Sequence, residues 1–209
     1  MSKLTVRGAK AASAATAKSD IVVVPLFTNE DLSTSASEVN VAAGDVLQRA
    51  INIGDADAKL GKITTMVGSG NIARIISVGC GDRASFNLEA QLSVTGAVSR
   101  ALASSKAKNA IVVGDPIVED KDALAQFLEF LGRDMAMACY HYTATLGTPK
   151  PGPTFSKLTV AVDGISTAKA KQSLSVGATI GNSANLTREL VNLPGNVCTP
   201  SYLAKEGRA

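Results

Sequence analysis

Gly79-Cys80-Gly81-Asp82-Arg83-Ala84 is the stretch whose residue types and spacing most invite a chemical reading. It has the G-x-G-x-x-G/A spacing of a strand-to-helix turn in which backbone closely approaches a phosphate and helix N–H groups face it. Gly79, Gly81 and Asp82 are therefore the phosphate-loop candidates, for a nucleotide or ADP-ribose. The companion acid that holds a ribose is expected about 20 residues further on. Here the next strand ends at Asp115, well past that distance. A tight turn needs the same glycines with no ligand present. Both readings stand on the sequence.

The other reactive groups fall into no constellation. His141 is the sole histidine, and three or four metal ligands cannot be gathered around it. Its position late in a helical stretch suits a hydrogen-bonded role near the C-terminal dipole. Cys139 lies two residues away, a spacing that does not face a partner on a helix. Glu119, Asp120 and Asp122 sit where a helix begins, and acids there complement the dipole. Asp55 and Asp57, between Gly54 and Lys59, read as a solvated turn. No Gly-x-Ser-x-Gly occurs. No catalytic residue, metal ligand or cofactor is assigned within residues 1–209.

The elements that must position these groups alternate. Ile21–Phe27 is a continuous apolar, β-branched run, as expected of a strand covered on both faces. Val46–Ile51 reads as a short helix. Ile63–Val67 and Ile72–Val78 flank Gly68-Ser69-Gly70-Asn71 as a hairpin. A helix is expected over Ser85–Ser105, with Leu88, Leu92, Ser99 and Leu102 on one face, then a strand over Ala110–Gly114. Asp120–Tyr142 is the clearest helix, with Leu124, Phe127, Leu128, Leu131, Met135 and Ala138 on one side. Leu158–Val162 supplies a further strand, and from Thr167 the chain is helical past Gly177 and Gly181. The fold class is α/β: a mixed β-sheet sandwiched by helices, followed by a long helix.

Composition narrows the function classes. The 209 residues, 45% hydrophobic and 19% charged, suffice for a substantial core. A net charge of +3 does not by itself call for a nucleic-acid partner. Arg83, Arg100, Lys106 and Lys108, around one helix, are what a DNA-binding alternative would rest on. Three scattered cysteines form no disulfide framework, and no membrane span or signal peptide is legible, so a cytoplasmic setting is expected.

The last stretch, Asn185 to Ala209, carries the most specific pattern. Leu186, Leu190 and Leu193 recur at helical spacing, Pro194 ends that helix, and Thr199-Pro200 starts another. Arg188-Glu189-Leu190 followed by Asn192, Pro194, Asn196-Val197, Thr199-Pro200 and Tyr202-Leu203-Ala204 resembles the junction motif of the leucyl (cytosol) aminopeptidase family. Lys59–Lys62, Ile75–Gly81 and Ala138–Tyr142 are similar to that family more loosely, and no role is transferred from the Tyr140 segment.

The resemblance implies an N-terminal α/β domain similar to macro domains, joined by a helix to a metal-dependent catalytic domain. It implies removal of N-terminal residues, notably leucine, from peptides, with two divalent ions (zinc or manganese) in the C-terminal domain. It also implies a homohexamer. On this basis residues 1–165 are expected to form the N-terminal domain, 166–193 the linker helix and 194–209 the truncated start of the catalytic domain. The chain alone is expected to be inactive, with an assembly or regulatory role.

Overall fold

β2 (Ile21–Phe27), β4 (Arg74–Gly81) and β5 (Asn109–Val113) form the middle of one sheet, and their apolar runs divide strictly between its two faces. Ile21 and Val23, Ile76 and Val78, Ala110 and Val112 point to one side; Val22 and Val24, Ile75, Ile111 and Val113 point to the other. The two-residue period is thus present in where the side chains go, although both destinations are apolar. In this computed structural model the described residues are 4–115, 117–118 and 120–208.

β1 (Thr5–Lys10), β6 (Lys157–Val162) and β3 (Ile63–Val67) complete a six-stranded sheet in the order β1-β6-β5-β2-β4-β3. Every neighbouring pair is parallel except β3 with β4, which makes the sheet mixed, as the hairpin reading requires. Three short helices, α1 (Ser13–Thr16), α2 (Thr34–Ala42) and α3 (Val46–Asn52), cover one face. Three long ones, α4 (Leu88–Ser104), α5 (Lys121–Ala138) and α6 (Thr167–Asn192), cover the other. Each fully buried valine or leucine in these layers contributes about 1.5–3 kcal/mol.

Several boundaries differ from those read off the sequence. β4 begins at Arg74, not Ile72, and runs on through Gly81, because Leu26 and Phe27 of β2 pair with Gly79 and Gly81. The register shifts there, leaving Cys80 as the extra residue of a bulge. α4 starts three residues late, capped by Asn87, whose side chain accepts from the Ala90 N–H at 3.1 Å. Leu88 consequently faces solvent, while Ser99 and Leu102 are buried as expected, together with Ala90, Gln91, Val94, Thr95, Ala97 and Val98. α5 is capped by Asp120 and ends at Ala138, so Cys139 closes it and His141 lies beyond it. β1 had no sequence signal, since only Val6 of its six residues is buried.

α6 lies along α5 and β1 with almost no separation. A Cβ at Gly177 would fall on the Glu129 carbonyl, one at Gly181 on the Arg133 carbonyl, and one at Gly132 of α5 on the Leu174 carbonyl. Small residues one turn apart let the two backbones meet. After α6 the chain turns at Pro194 into α7 (Pro200–Glu206), whose N-cap Thr199 accepts from the Tyr202 N–H at 3.3 Å. α7 buries none of its residues.

Candidate functional site

At the carboxyl end of the sheet the chain leaves β2 for the face of the short helices, but leaves β4 and β5 for the opposite face. Such a switch point opens a crevice beyond the strand ends, where ligands settle in open α/β sheets. Here it is a cavity of about 560 Å³, walled by the loop Thr28–Leu32, by Gln48 and Ile51 of α3, and by Gly54 to Lys59. That volume suits a small molecule.

The crevice is acidic. Glu30, Asp31 and Asp57 line it against one cation, Lys59. Glu30 takes a bidentate fork from Arg83, Nε to Oε1 at 2.7 Å and Nη2 to Oε2 at 2.8 Å. That hydrogen bonding holds the Glu30 carboxyl below its ordinary range. The guanidinium also lies 3.8 Å from the centre of the Phe27 ring, which Phe86 meets edge-on. Asp57 accepts from Lys62 Nζ at 2.7 Å and from the Lys59 N–H at 2.8 Å, and both, Lys62 first, lower its pKa. Asp57 thus fixes a turn, as the sequence reading had it, while Asp55 is bonded through its backbone, its N–H donating to the Ala50 carbonyl at 3.0 Å and its carbonyl accepting from Thr64 Oγ1 at 3.0 Å.

Gly79, Gly81 and Asp82 stand beside this crevice with their donors engaged. The Gly79 N–H donates to the Lys62 carbonyl at 2.9 Å, and the Gly81 N–H to the Ala58 carbonyl at 2.7 Å. Asp82 accepts from the Ala84 N–H at 2.9 Å. A side chain at Gly79 would strike the backbone of Ala58 and Lys59, and Gly81 has a φ of 74°. These glycines let residues 58–62 cross the end of β4, a packing role that leaves those two N–H groups no bond to give a phosphate. The Cys80 thiol between them is buried, and desolvation pushes its pKa up to about 12.

The remaining candidates are scattered. His141 is exposed, its Nε2 2.7 Å from the Lys150 carbonyl, in a loop and not in the helix expected for it. Cys139 is raised to about 11 by burial. Asp120 accepts from the N–H groups of Asp122 and Ala123, at 3.1 and 2.8 Å, so the acids at the start of α5 cap it; Glu119 lies outside the described residues. The basic residues named for DNA binding separate: Arg83 precedes α4 and is held by Glu30, while Lys106 and Lys108 follow it, about 25 Å away by helical rise. Among the described residues no three His, Cys, Asp or Glu side chains converge.

A second cluster escaped the sequence reading. Tyr140 Oη donates to Glu189 Oε2 at 3.0 Å and accepts from Asn192 Nδ2 at 3.1 Å. Tyr142 Oη donates to the Asn192 carbonyl at 3.0 Å. Asn185 Nδ2 donates to the Ala136 carbonyl at 2.9 Å, and Arg188 Nη1 to that of Met137 at 3.4 Å. α6 thereby satisfies carbonyls that the end of α5 leaves open, and Arg188 brings a cation to a helix C-terminus. The signal lay in Asn185, Arg188, Glu189 and Asn192 sharing one face at i, i+3, i+4 and i+7. Its partner, the Tyr140 segment, showed no pattern of its own.

Comparison with known proteins gives one consistent result. The model of the cytosol aminopeptidase family, N-terminal domain, matches residues 23–147. A probable cytosol aminopeptidase of Ralstonia pickettii (strain 12J) is 32% identical over 205 residues, which cover 94% of this chain and 41% of that protein. One from Burkholderia ambifaria is 29% identical over 196 residues, covering 92% and 39%. The chain therefore spans about two fifths of the length of the curated relatives it matches. Among solved structures, a tomato leucine aminopeptidase mutant superposes with a TM-score of 0.75 at 19% identity, over 99% of this chain and 42% of that one. The bottromycin maturation enzyme BotP gives 0.64 at 17%, over 91% and 36%. At these identities the structures speak for the fold.

Proposed function

Since the chain belongs to the cytosol aminopeptidase family, we propose that it serves as the N-terminal, non-catalytic part of a metal-dependent leucyl aminopeptidase. The parent enzyme removes N-terminal residues, notably leucine, from peptides in the cytoplasm. Its two divalent ions, zinc or manganese, and its catalytic groups belong to a following domain. Residues 1–165 form a macro-domain-like body, 166–193 the linker helix and 194–209 the entry to the catalytic domain. The body's role is assembly and regulation within a homohexamer.

The observation that carries this reading is the segment after Asn185. It holds the junction motif, leaves the α/β body, and starts α7 without burying any residue of it. α7 is seven residues long, short of the roughly 12–15 at which an isolated helix becomes stable in water. The acidic crevice and the capped glycines add no hydrolytic apparatus to the body. No helix among the described residues is long and apolar enough to cross a membrane.

The test is direct. Purified chain supplied with manganese or zinc should hydrolyse leucyl p-nitroanilide no faster than the metal alone. Fusing it after residue 209 to the remaining part of the Ralstonia pickettii relative should restore metal-dependent turnover. Turnover by the chain alone would overturn the proposal.

A further inference from the structure

A second concavity lies at the other end of the sheet, on the face that the short helices leave partly bare. It measures about 250 Å³ and is floored by β1, β6 and β5, with Ser13 of α1, Ala17 and Lys18 as its wall. In the sheet register Lys157 stands level with Thr5 and Asn109, and Thr159 level with Arg7 and Ile111. All of these share one face, because their neighbours Val6, Leu158, Val160 and Ala110 enter the core on the opposite side. Three cations, Arg7, Lys18 and Lys157, thus line one hollow, and no carboxylate lines it with them.

None of the three is paired with a carboxylate among the described residues. The ion pairs among the described residues are Lys62–Asp57, Arg83–Glu30 and Arg133–Asp134, all elsewhere. The nearest acid in sequence, Asp20, is turned to the backbone, accepting from the N–H groups of Lys108 at 2.8 Å and Asn109 at 3.3 Å. Three like charges around one hollow raise the local positive potential and so favour an anion there, an effect that salt screens because Arg7 and Lys18 are exposed.

The neutral lining points the same way. Asn109 Oδ1 accepts from the Asp20 N–H and from Ser19 Oγ, both at 3.1 Å, which fixes the amide and leaves its Nδ2 group without a protein acceptor among the described residues. The Ser13 and Thr159 hydroxyls have no hydrogen-bond partner there either. The residues lining the hollow therefore carry a guanidinium, two ammonium groups, an amide NH₂ and two hydroxyls. Such a donor set matches a phosphate, and Arg7 can take one bidentately.

We propose that this hollow binds a small phosphate-bearing molecule. It is independent of the acidic crevice and of the reading of the chain as part of an aminopeptidase. The cations converge on one concavity instead of tracking a groove, which favours a small polyanion over the backbone of a nucleic acid.

The probe is inorganic pyrophosphate, titrated calorimetrically into the chain at low salt, with sodium chloride of equal ionic strength as the blank. Saturable one-to-one binding is expected. Lys157→Gln with Arg7→Gln should weaken it at least tenfold, while Glu30→Gln in the crevice should leave it unchanged. Matching circular dichroism melts would show that the variants keep the fold. Failure to bind pyrophosphate, or equal binding by the double variant, would overturn the proposal. So would a duplex DNA that binds more tightly than pyrophosphate, with a steep salt dependence lost in the same variant, because the hollow would then be part of a nucleic-acid surface.

Discussion

α6 is one continuous helix with two kinds of surface. Up to Asn185 it buries Ala170, Ser173, Leu174, Gly177, Ala178 and Gly181, nearly all small, and meets α5 backbone to backbone. Beyond Asn185 its hydrogen bonds to the body run from Arg188, Glu189 and Asn192 to the end of α5 and the loop after it, with the Arg188 guanidinium over the Tyr140 ring. Leu190 is half-buried there, but Val191 is 78% exposed, and further on Leu203 of α7 is 46% exposed. The first stretch is specified by its own domain. The second carries apolar residues that this domain does not use, and hydrophobic side chains in series without a partner ordinarily mark a contact made elsewhere.

The sharpest way to break the comparison is to put a side chain into the close contact. Gly177→Val should cost about 3 kcal/mol, since the obstacle is the Glu129 backbone, which cannot swing aside. For a chain of this size that lowers the melting temperature by roughly 6–12 °C. Gly195→Ala, with nothing near its Cβ position, should change stability by less than about 0.5 kcal/mol. Equal effects at the two glycines would erase the distinction between the halves.

The polar pins come next in size. Tyr140→Phe removes the bonds to Glu189 and Asn192 and should cost about 1 kcal/mol in a denaturant melt. It should also change the pH profile. Desolvation, with Glu189 adding to it, raises the folded-state pKa of Tyr140 above its ordinary value, whereas Asn192 pulls the other way. A raised pKa means that the folded state holds the proton more tightly. The stabilisation is therefore complete below the unfolded value of about 10 and is lost as pH climbs through the folded value. The wild type should lose stability above pH 10 by more than the phenylalanine variant does. Parallel decline of the two proteins would show that Tyr140 is not held by α6.

How much of this was legible in the sequence follows the same division. The central strands declared themselves because runs such as Ile21–Phe27 are apolar on both faces. α5 declared itself because Leu124, Phe127, Leu128, Leu131 and Met135 keep helical period, all buried. β1 and α2 did not: β1 buries only Val6, and α2 is built from serine, alanine and valine with little contrast between faces. Gly79 and Gly81 admitted both a phosphate and a packing reading, because a glycine needed for close packing and one needed for a ligand look identical in a sequence. Residues 58–62, whose carbonyls take those two N–H groups, lie about 20 positions earlier. The hollow around Arg7, Lys18 and Lys157 was illegible for a related reason: only the parallel pairing of β1, β6 and β5 brings residues 7, 109 and 157 together.

The smallest expected effect is the most informative about the far half. Val191→Ser removes an apolar group that is 78% exposed and Leu203→Ser one that is 46% exposed, so in the isolated chain they should shift stability by no more than about 0.5 and about 1 kcal/mol respectively. A buried valine or leucine replaced in this way would cost several times as much. The same substitutions in a chain carrying a following domain test whether that surface is reserved for it. Burial there would turn a near-neutral change into a loss of roughly 1.5–3 kcal/mol per side chain. An unchanged melt in both settings would mean that Val191 and Leu203 stay in water throughout, and the second half of α6 would then be a spacer and not a docking surface.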